Sequence, residues 1–390
     1  MMKDLKLNLR SATLARYGAN DSEIEELLVY NQNRFGRPRR SKIQADPAYI
    51  DRWREYAEEA RHIGAFASLK QRLVQLQFPI QAGISNTPEY LAATGKGKPT
   101  QMSVATGLQL TFPERIELKI QPTEAGAVPI ITVGDRQDFV SLIQALTKCN
   151  EPVAIPDSME ACIVGSYNNW DRIACYRQQW LAEGGDRAHW QSELKRLIPR
   201  KELYQDRFIV LSRGCYSSVS ADELGLDRDE WLELSQIIRL EHECTHYFTR
   251  RVFGSMRNNI FDELIADYQG IVSALGYYRA DWFLRFIGLE AFPKYRLGGR
   301  LENYYEPSLS SGAIAILQKA IVDAATNLEE FDREVGRQLR ANQNKTAILL
   351  ALCKLTLEEL ASTKGVTLLK TKVTDRVEQS AAVFSRDIAV

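Results

Sequence analysis

Two histidines four residues apart with a glutamate beside the first, His242-Glu243-x-x-His246, are the part of this 390-residue chain best suited to chemistry. The run around them has the apolar spacing of a helix. Residues four apart on a helix lie about 40° apart around the axis and about 6 Å apart along it. His242 and His246 then face the same way, one turn apart, and can hold one metal ion between them. Glu243 projects from nearly the same face, where it can reach a water on that metal. This is the two-ligands-plus-base arrangement of zinc-dependent hydrolysis. The chain has only 4 His, and two of them fall in this motif.

A two-His pair is incomplete, because a catalytic zinc takes three protein ligands and leaves one position for water. No His follows His246, so the third ligand must be a carboxylate. The segment Asp262-Glu263-Leu264-Ile265-Ala266-Asp267 offers Asp262, Glu263 and Asp267. Apolar periodicity predicts a helix from about 228 to 253, capped by Asp227 or Asp229 and ended by Gly254. A second helix is expected from Asn258 or Asn259 to about Leu275, with Gly276 beyond its end. A turn at Gly254 lets the second helix fold back on the first, and the small residues Ala266, Gly270 and Ser273 permit close approach. Cys244 lies on the side of the helix away from the two His and is expected to be packed rather than ligating.

H-E-x-x-H followed by E-x-x-x-D on the next helix resembles the gluzincin group of zinc metallopeptidases, over roughly residues 240–270. The resemblance implies Glu263 as third ligand and Asp267 as the carboxylate that orients a ligating His. It implies one zinc ion per chain, with Glu243 taking a proton from water and passing it to the leaving amine. The implied fold is α+β and predominantly helical, a zincin-like core in which the motif helix packs on a second ligand-bearing helix and a small β-sheet. The developing oxyanion needs a donor. Gluzincins often draw it from a downstream His or Tyr, and His is excluded here. Tyr304 and Arg300, in the Tyr- and Arg-dense stretch 294–305, are the candidates. A strand over 207–212 is expected to pair with substrate backbone, as peptidases of this class do. The wider 150–310 stretch resembles an uncharacterised bacterial protein family, to which no activity is attached.

The expected function is therefore a zinc-dependent metallopeptidase acting on a protein or peptide substrate. Two other readings use the same residues. Two His and one carboxylate also form the facial triad of non-haem Fe(II) oxygenases, which would make the chain a 2-oxo-acid-dependent peptide hydroxylase. A non-catalytic, metal-stabilised binding protein is the third. The intact Glu243, which neither alternative needs as a base, favours hydrolysis.

The rest of the chain must position these groups. Its length allows one or two domains, with a soft boundary near 150 between an N-terminal α+β region, 1–150, and a catalytic domain, 151–390. Lys+Arg and Asp+Glu both number 50, so no global field favours nucleic acid or an anionic membrane. The basic run Arg37 to Lys42 is expected to be a solvated linker. No stretch of about 18 apolar residues spans a membrane, and the first residues lack the apolar core of a secretory signal. The 6 Cys are read as reduced thiols of a cytoplasmic protein. Further helices are expected over 22–32, 47–76, 138–146, 279–290, 311–339 and 345–362, and strands over 107–121 and 128–133. Residues 80–105 are expected to form a loop, and Gly165 to Arg172 a buried turn. His62 is read as structural and His189 as exposed.

Overall fold

The structure, a computed structural model, describes residues 2–98, 104–257 and 259–387. It is α+β and predominantly helical, as expected. The chain forms two compact units, Met1–Ser41 together with Cys215–Val390, and Lys42–Gly214. The boundary expected near 150 falls inside the second unit. The reason is strand pairing: strands that follow residue 150 join strands that precede it.

The Lys42–Gly214 unit holds one mixed sheet of β1 (Ile116–Gln121), β2 (Val128–Val133), β3 (Ala161–Asn168) and β4 (Gln205–Ser212), in the order β1-β2-β4-β3. β1 and β3 run antiparallel to their neighbours, and β2 and β4 pair in parallel at the centre. Every residue of β2 is buried, which explains why only Thr132 interrupts its apolar side chains. Trp53, Leu69, Ile131, Phe139 and Phe208 meet in the core of this unit. Each such side chain is worth about 1.5–3 kcal/mol when fully buried.

Five expectations about this unit are corrected. β4 lies between β2 and β3, so its backbone groups are already paired and the 207–212 segment has no free edge for a substrate strand. β1 begins only at Ile116. The expected 80–105 loop contains the Pro88–Lys96 helix, started by Thr87, whose hydroxyl accepts from the Tyr90 amide, and ended at Gly97 with φ +59°; its residues 99–103 lie outside the described residues. The stretch 161–168 is a strand rather than part of a turn, and only its end, at Asn169, behaves as the buried turn expected there. Asn169 accepts from the Asp171 and Arg172 amides and starts the Trp170–Ala182 helix. The 47–76 helix is broken at Gly64, φ +89°, into Ile50–Ile63 and Ala65–Arg72.

The other unit contains no strand among its described residues. Its centre is the motif helix, Arg228–Phe248, packed on the ligand helix, Ile260–Leu275. Asp227 caps the motif helix by accepting from the Asp229 amide. The chain then makes one π-turn, Thr249–Phe253, and stops at Gly254, φ +76°. Asn259 sits at the start of the ligand helix without a side-chain cap bond, and Asn258 lies outside the described residues. Trp231 meets Trp282 edge-on at 5.4 Å beneath the motif helix. Helices Asp21–Tyr30, Ala280–Ile287 and Ser311–Phe331 fall close to their expected ranges, the expected 345–362 helix is broken into Lys345–Leu352 and Leu357–Ala361, and Met2–Arg16 and Gly365–Asp387 are additional. Among the described residues no helix is long and apolar enough to cross a membrane. None of the six cysteines forms a disulfide.

Candidate metal centre

The motif helix and the ligand helix can approach because Gly270 faces the backbone of Ile238. A Cβ at that position would lie 2.8 Å from the Ile238 carbonyl oxygen. Gly270 is thus the small residue that matters, with Ala266 buried beside it, whereas Ser273 is exposed and takes no part. Cys244 is buried and stands outside the group of donors, as expected.

This approach brings His242, His246 and Glu263 together as a buried group whose ligand atoms all lie within 4.8 Å of one another. The two Nε2 atoms are 3.0 Å apart. Glu263 places Oε2 3.5 Å from His242 Nε2 and Oε1 3.2 Å from His246 Nε2. Ligands about 2.1 Å from a tetrahedral ion stand roughly 3.4 Å from one another. The separations are compatible with three donors around one ion, Glu263 presenting a different oxygen to each histidine. Of the three carboxylates the sequence offered, Glu263 occupies this position.

Asp267, one turn further along the ligand helix, sits behind the group. Its Oδ1 is 2.7 Å from His242 Nδ1. The Tyr216 phenol donates to the same Oδ1 at 2.6 Å and lies 2.9 Å from His242 Nδ1. Burial works against the Asp267 carboxylate, but Arg300 and His242 outweigh it and hold its pKa below the usual range. An ionised carboxylate only accepts, so His242 carries its proton on Nδ1. The Nε2 lone pair is then directed toward His246 and Glu263. His246 has no such partner: its Nδ1 is buried and unbonded.

Arg300 does not take the place expected of it. One of its terminal nitrogens pairs with Asp267, and the other donates to the Tyr216 hydroxyl at 2.9 Å. Its nearest approach to Glu263 is 3.8 Å. The guanidinium is committed behind the ligands rather than offered to a substrate. Tyr304 lies close enough to the donor group for its phenol to feel the Glu263 charge. Burial first, and then the Glu263 charge, push that phenol well above its ordinary pKa, so it remains a neutral donor. Its carbonyl is fixed by the Tyr30 hydroxyl at 2.7 Å.

Glu263 itself is held ionised. Burial opposes the charge, but His246, His242 and Arg300 together keep its pKa far below the usual carboxylate range. Burial likewise disfavours a charged His246, yet Glu263 reverses this and pushes the imidazole up to about 9. Glu243 is half-buried and makes no hydrogen bond or ion pair with a described residue. His62 and His189 are exposed, each beside a carboxylate of its own helix or turn.

Tyr216 is the functional candidate that motif spacing does not reveal. It stands in a turn where Ser217 and Ser218 both have positive φ, 56° and 57°. Non-glycine residues in that region cost about 1–3 kcal/mol and are retained where the surroundings dictate them. Here the Tyr216 amide donates to Ser235 of the motif helix at 2.9 Å, and the Ser217 hydroxyl donates to the Phe286 carbonyl at 2.9 Å.

A model described as "Family of unknown function (DUF7005)" matches residues 12–364. The chain belongs to this family. No curated protein and no solved structure matches it. The DUF7005 match extends well beyond the 150–310 stretch and includes both the motif helix and the ligand helix. Membership in DUF7005 brings no activity with it, so the chemistry must be argued from the donor group.

Proposed function

We propose that this DUF7005 protein is a zinc-dependent metallohydrolase, with a peptide bond as its target. The observation that carries the reading is the close, buried grouping of His242, His246 and Glu263 beside a Glu243 with no hydrogen bond or ion pair to a described residue. A bound zinc ion would supply a Lewis acid and bring the pKa of a water toward neutrality. The chain's own residues do the rest. His242 and His246 present neutral nitrogens, and Glu263 one negative charge, so the group retains net positive charge when a divalent ion is bound. Asp267, supported by Tyr216 and Arg300, keeps His242 in the ligating tautomer.

Glu243 has no competing partner and can accept a proton from water and return it to the leaving amine. Tyr304, a neutral phenol beside Glu263, is the group suited to donate to a developing oxyanion. Arg300 acts through Asp267 as a positioning residue. The choice of a peptide bond rests on the likeness of the paired motifs to gluzincins.

The test is a peptide-library digestion with the zinc-loaded protein and its Glu243→Gln variant. Cleavage by the first and a loss of about two to four orders of magnitude in the second, with metal content unchanged, supports the reading. Equal rates in both overturn Glu243 as base. Hydroxylation of peptides that requires iron and a 2-oxo acid replaces hydrolysis with the oxygenase reading.

A further inference from the structure

The Lys42–Gly214 unit contains a groove of about 940 Å³, lined only by its own residues. That size is at the upper end for small-molecule sites, which run from about 300 to 1,000 Å³. Among the described residues that line it are four cations, Lys96, Lys98, Arg177 and Arg187, and no Asp or Glu. None of the four makes an ion pair with a described residue. The chain as a whole is electrically balanced, so this local excess is not a sample of a basic surface.

Nearby carboxylates are occupied elsewhere. Glu193 accepts from the Tyr176 phenol at 2.6 Å and faces Arg196 at 3.6 Å. Asp186 accepts from the Ala188 amide at 2.9 Å, and Glu183 from Gln179 at 2.9 Å.

The floor of the groove is apolar and aromatic. Trp170 anchors one side, its indole N–H donating to the Thr94 carbonyl at 2.6 Å. Gly97 lies directly on that indole: a Cβ there would sit 2.2 Å from the ring. Only glycine permits this contact together with φ +59°, and the contact sets Lys96 and Lys98 at the rim. Trp190 forms the other side, with the Arg177 guanidinium 5.3 Å from its ring centroid. Ile173 and Leu194 also line the floor.

We propose that this groove binds a small organic polyanion with a flat ring, the chemistry of a nucleoside phosphate. Aromatic floors take such rings by stacking and apolar burial. Lys and Arg take phosphate oxygens through charge-assisted hydrogen bonds. The four cations have no ion-pair partner among the described residues, and the walls supply both halves of the recognition.

The test uses the full chain, with ATP, GTP, CTP and UTP as probes in calorimetry without added divalent metal. At least one nucleotide is expected to bind saturably, with an affinity that falls as salt is raised. The double charge reversal K98E/R177E is expected to weaken it at least about tenfold, since several charge-assisted bonds are lost. Both positions are exposed, and an unchanged circular dichroism spectrum would show that the variant is folded. The His242→Ala variant is expected to bind the nucleotide as the wild type does, which separates this groove from the metal centre. Tripolyphosphate alone and the free nucleoside are each expected to bind at least about tenfold more weakly than the nucleotide. Failure of all four nucleotides to bind at millimolar concentration overturns the proposal, as does binding indifferent to K98E/R177E. Tighter binding of an oligoglutamate peptide or a short oligonucleotide than of any mononucleotide overturns it as well.

Discussion

Asp267 Oδ1 lies 2.7 Å from His242 Nδ1, so a side chain of one helix fixes the orientation of a donor on another. The consequence is measurable in metal affinity. Asp267→Asn leaves the three donors in place but removes the charge that holds His242 in its tautomer. Zinc affinity is expected to fall about 10–100-fold, the usual effect of losing such a partner. Competition with a chelator measures it, and an unchanged affinity removes Asp267 from the account.

Arg300 and Tyr304, nominated together from the sequence, are expected to separate on mutation. Arg300→Ala leaves the Asp267 carboxylate buried without its cation, and breaking such a pair costs about 3–5 kcal/mol. A lower melting temperature and weaker metal binding should follow. Tyr304→Phe removes only a phenol at the edge of the site and should leave metal content intact while lowering turnover. Equal effects on metal content would show that the two residues share one role.

Gly270→Ala tests the contact that brings the two helices together. Its new Cβ would meet the Ile238 carbonyl at 2.8 Å, and backbone cannot yield as a side-chain tip can. Overpacking of this kind costs about 1–3 kcal/mol. It should also move Glu263 away from the His pair and weaken metal binding. Thermal unfolding and metal titration read the two effects, and a neutral substitution would show that the helices have room to spare.

The pH dependence follows from His246. Its pKa is about 9 in the metal-free fold, against 6.5 in an unfolded chain. The folded state therefore holds this proton more tightly. The resulting stabilisation is fully present below pH 6.5 and is lost as pH rises through about 9. A metal must displace the same proton, so apparent zinc affinity should rise about tenfold per pH unit across neutral pH. Calorimetry in buffers of different ionisation enthalpy should show about one proton released per zinc at pH 7. No proton release would mean that His246 is already neutral without metal.

The donor group was legible in the sequence because helix geometry carries residue spacing directly into space. His242, His246 and Glu263 need only two helices and a turn at Gly254 to meet. Tyr216 was not legible, because its position depends on a strained turn at Ser217 and Ser218 and on a contact with Ser235, none of which has a periodic signature. The role of Arg300 was misjudged for a related reason. Sequence shows that an arginine is near, not that a buried carboxylate and phenol will claim both of its terminal nitrogens.

In the sheet, β2 and β4 were found because buried central strands carry apolar runs, as at 128–131 and 208–211. β3 was missed as an edge strand of mixed composition, interrupted by a register shift between Gly165 and Tyr167. The Pro88–Lys96 helix has its start signals in Thr87 and Pro88, but the Gly, Thr and Lys around it give the composition of a loop.

The most direct measurement is metal content by elemental mass spectrometry on the wild type and on Glu263→Ala, both purified without chelator or metal-binding tag. About one zinc per chain is expected in the wild type and its loss in the variant, with both proteins folded. No stoichiometric metal in the wild type, or zinc retained by Glu263→Ala, would contradict a metal centre built on His242, His246 and Glu263.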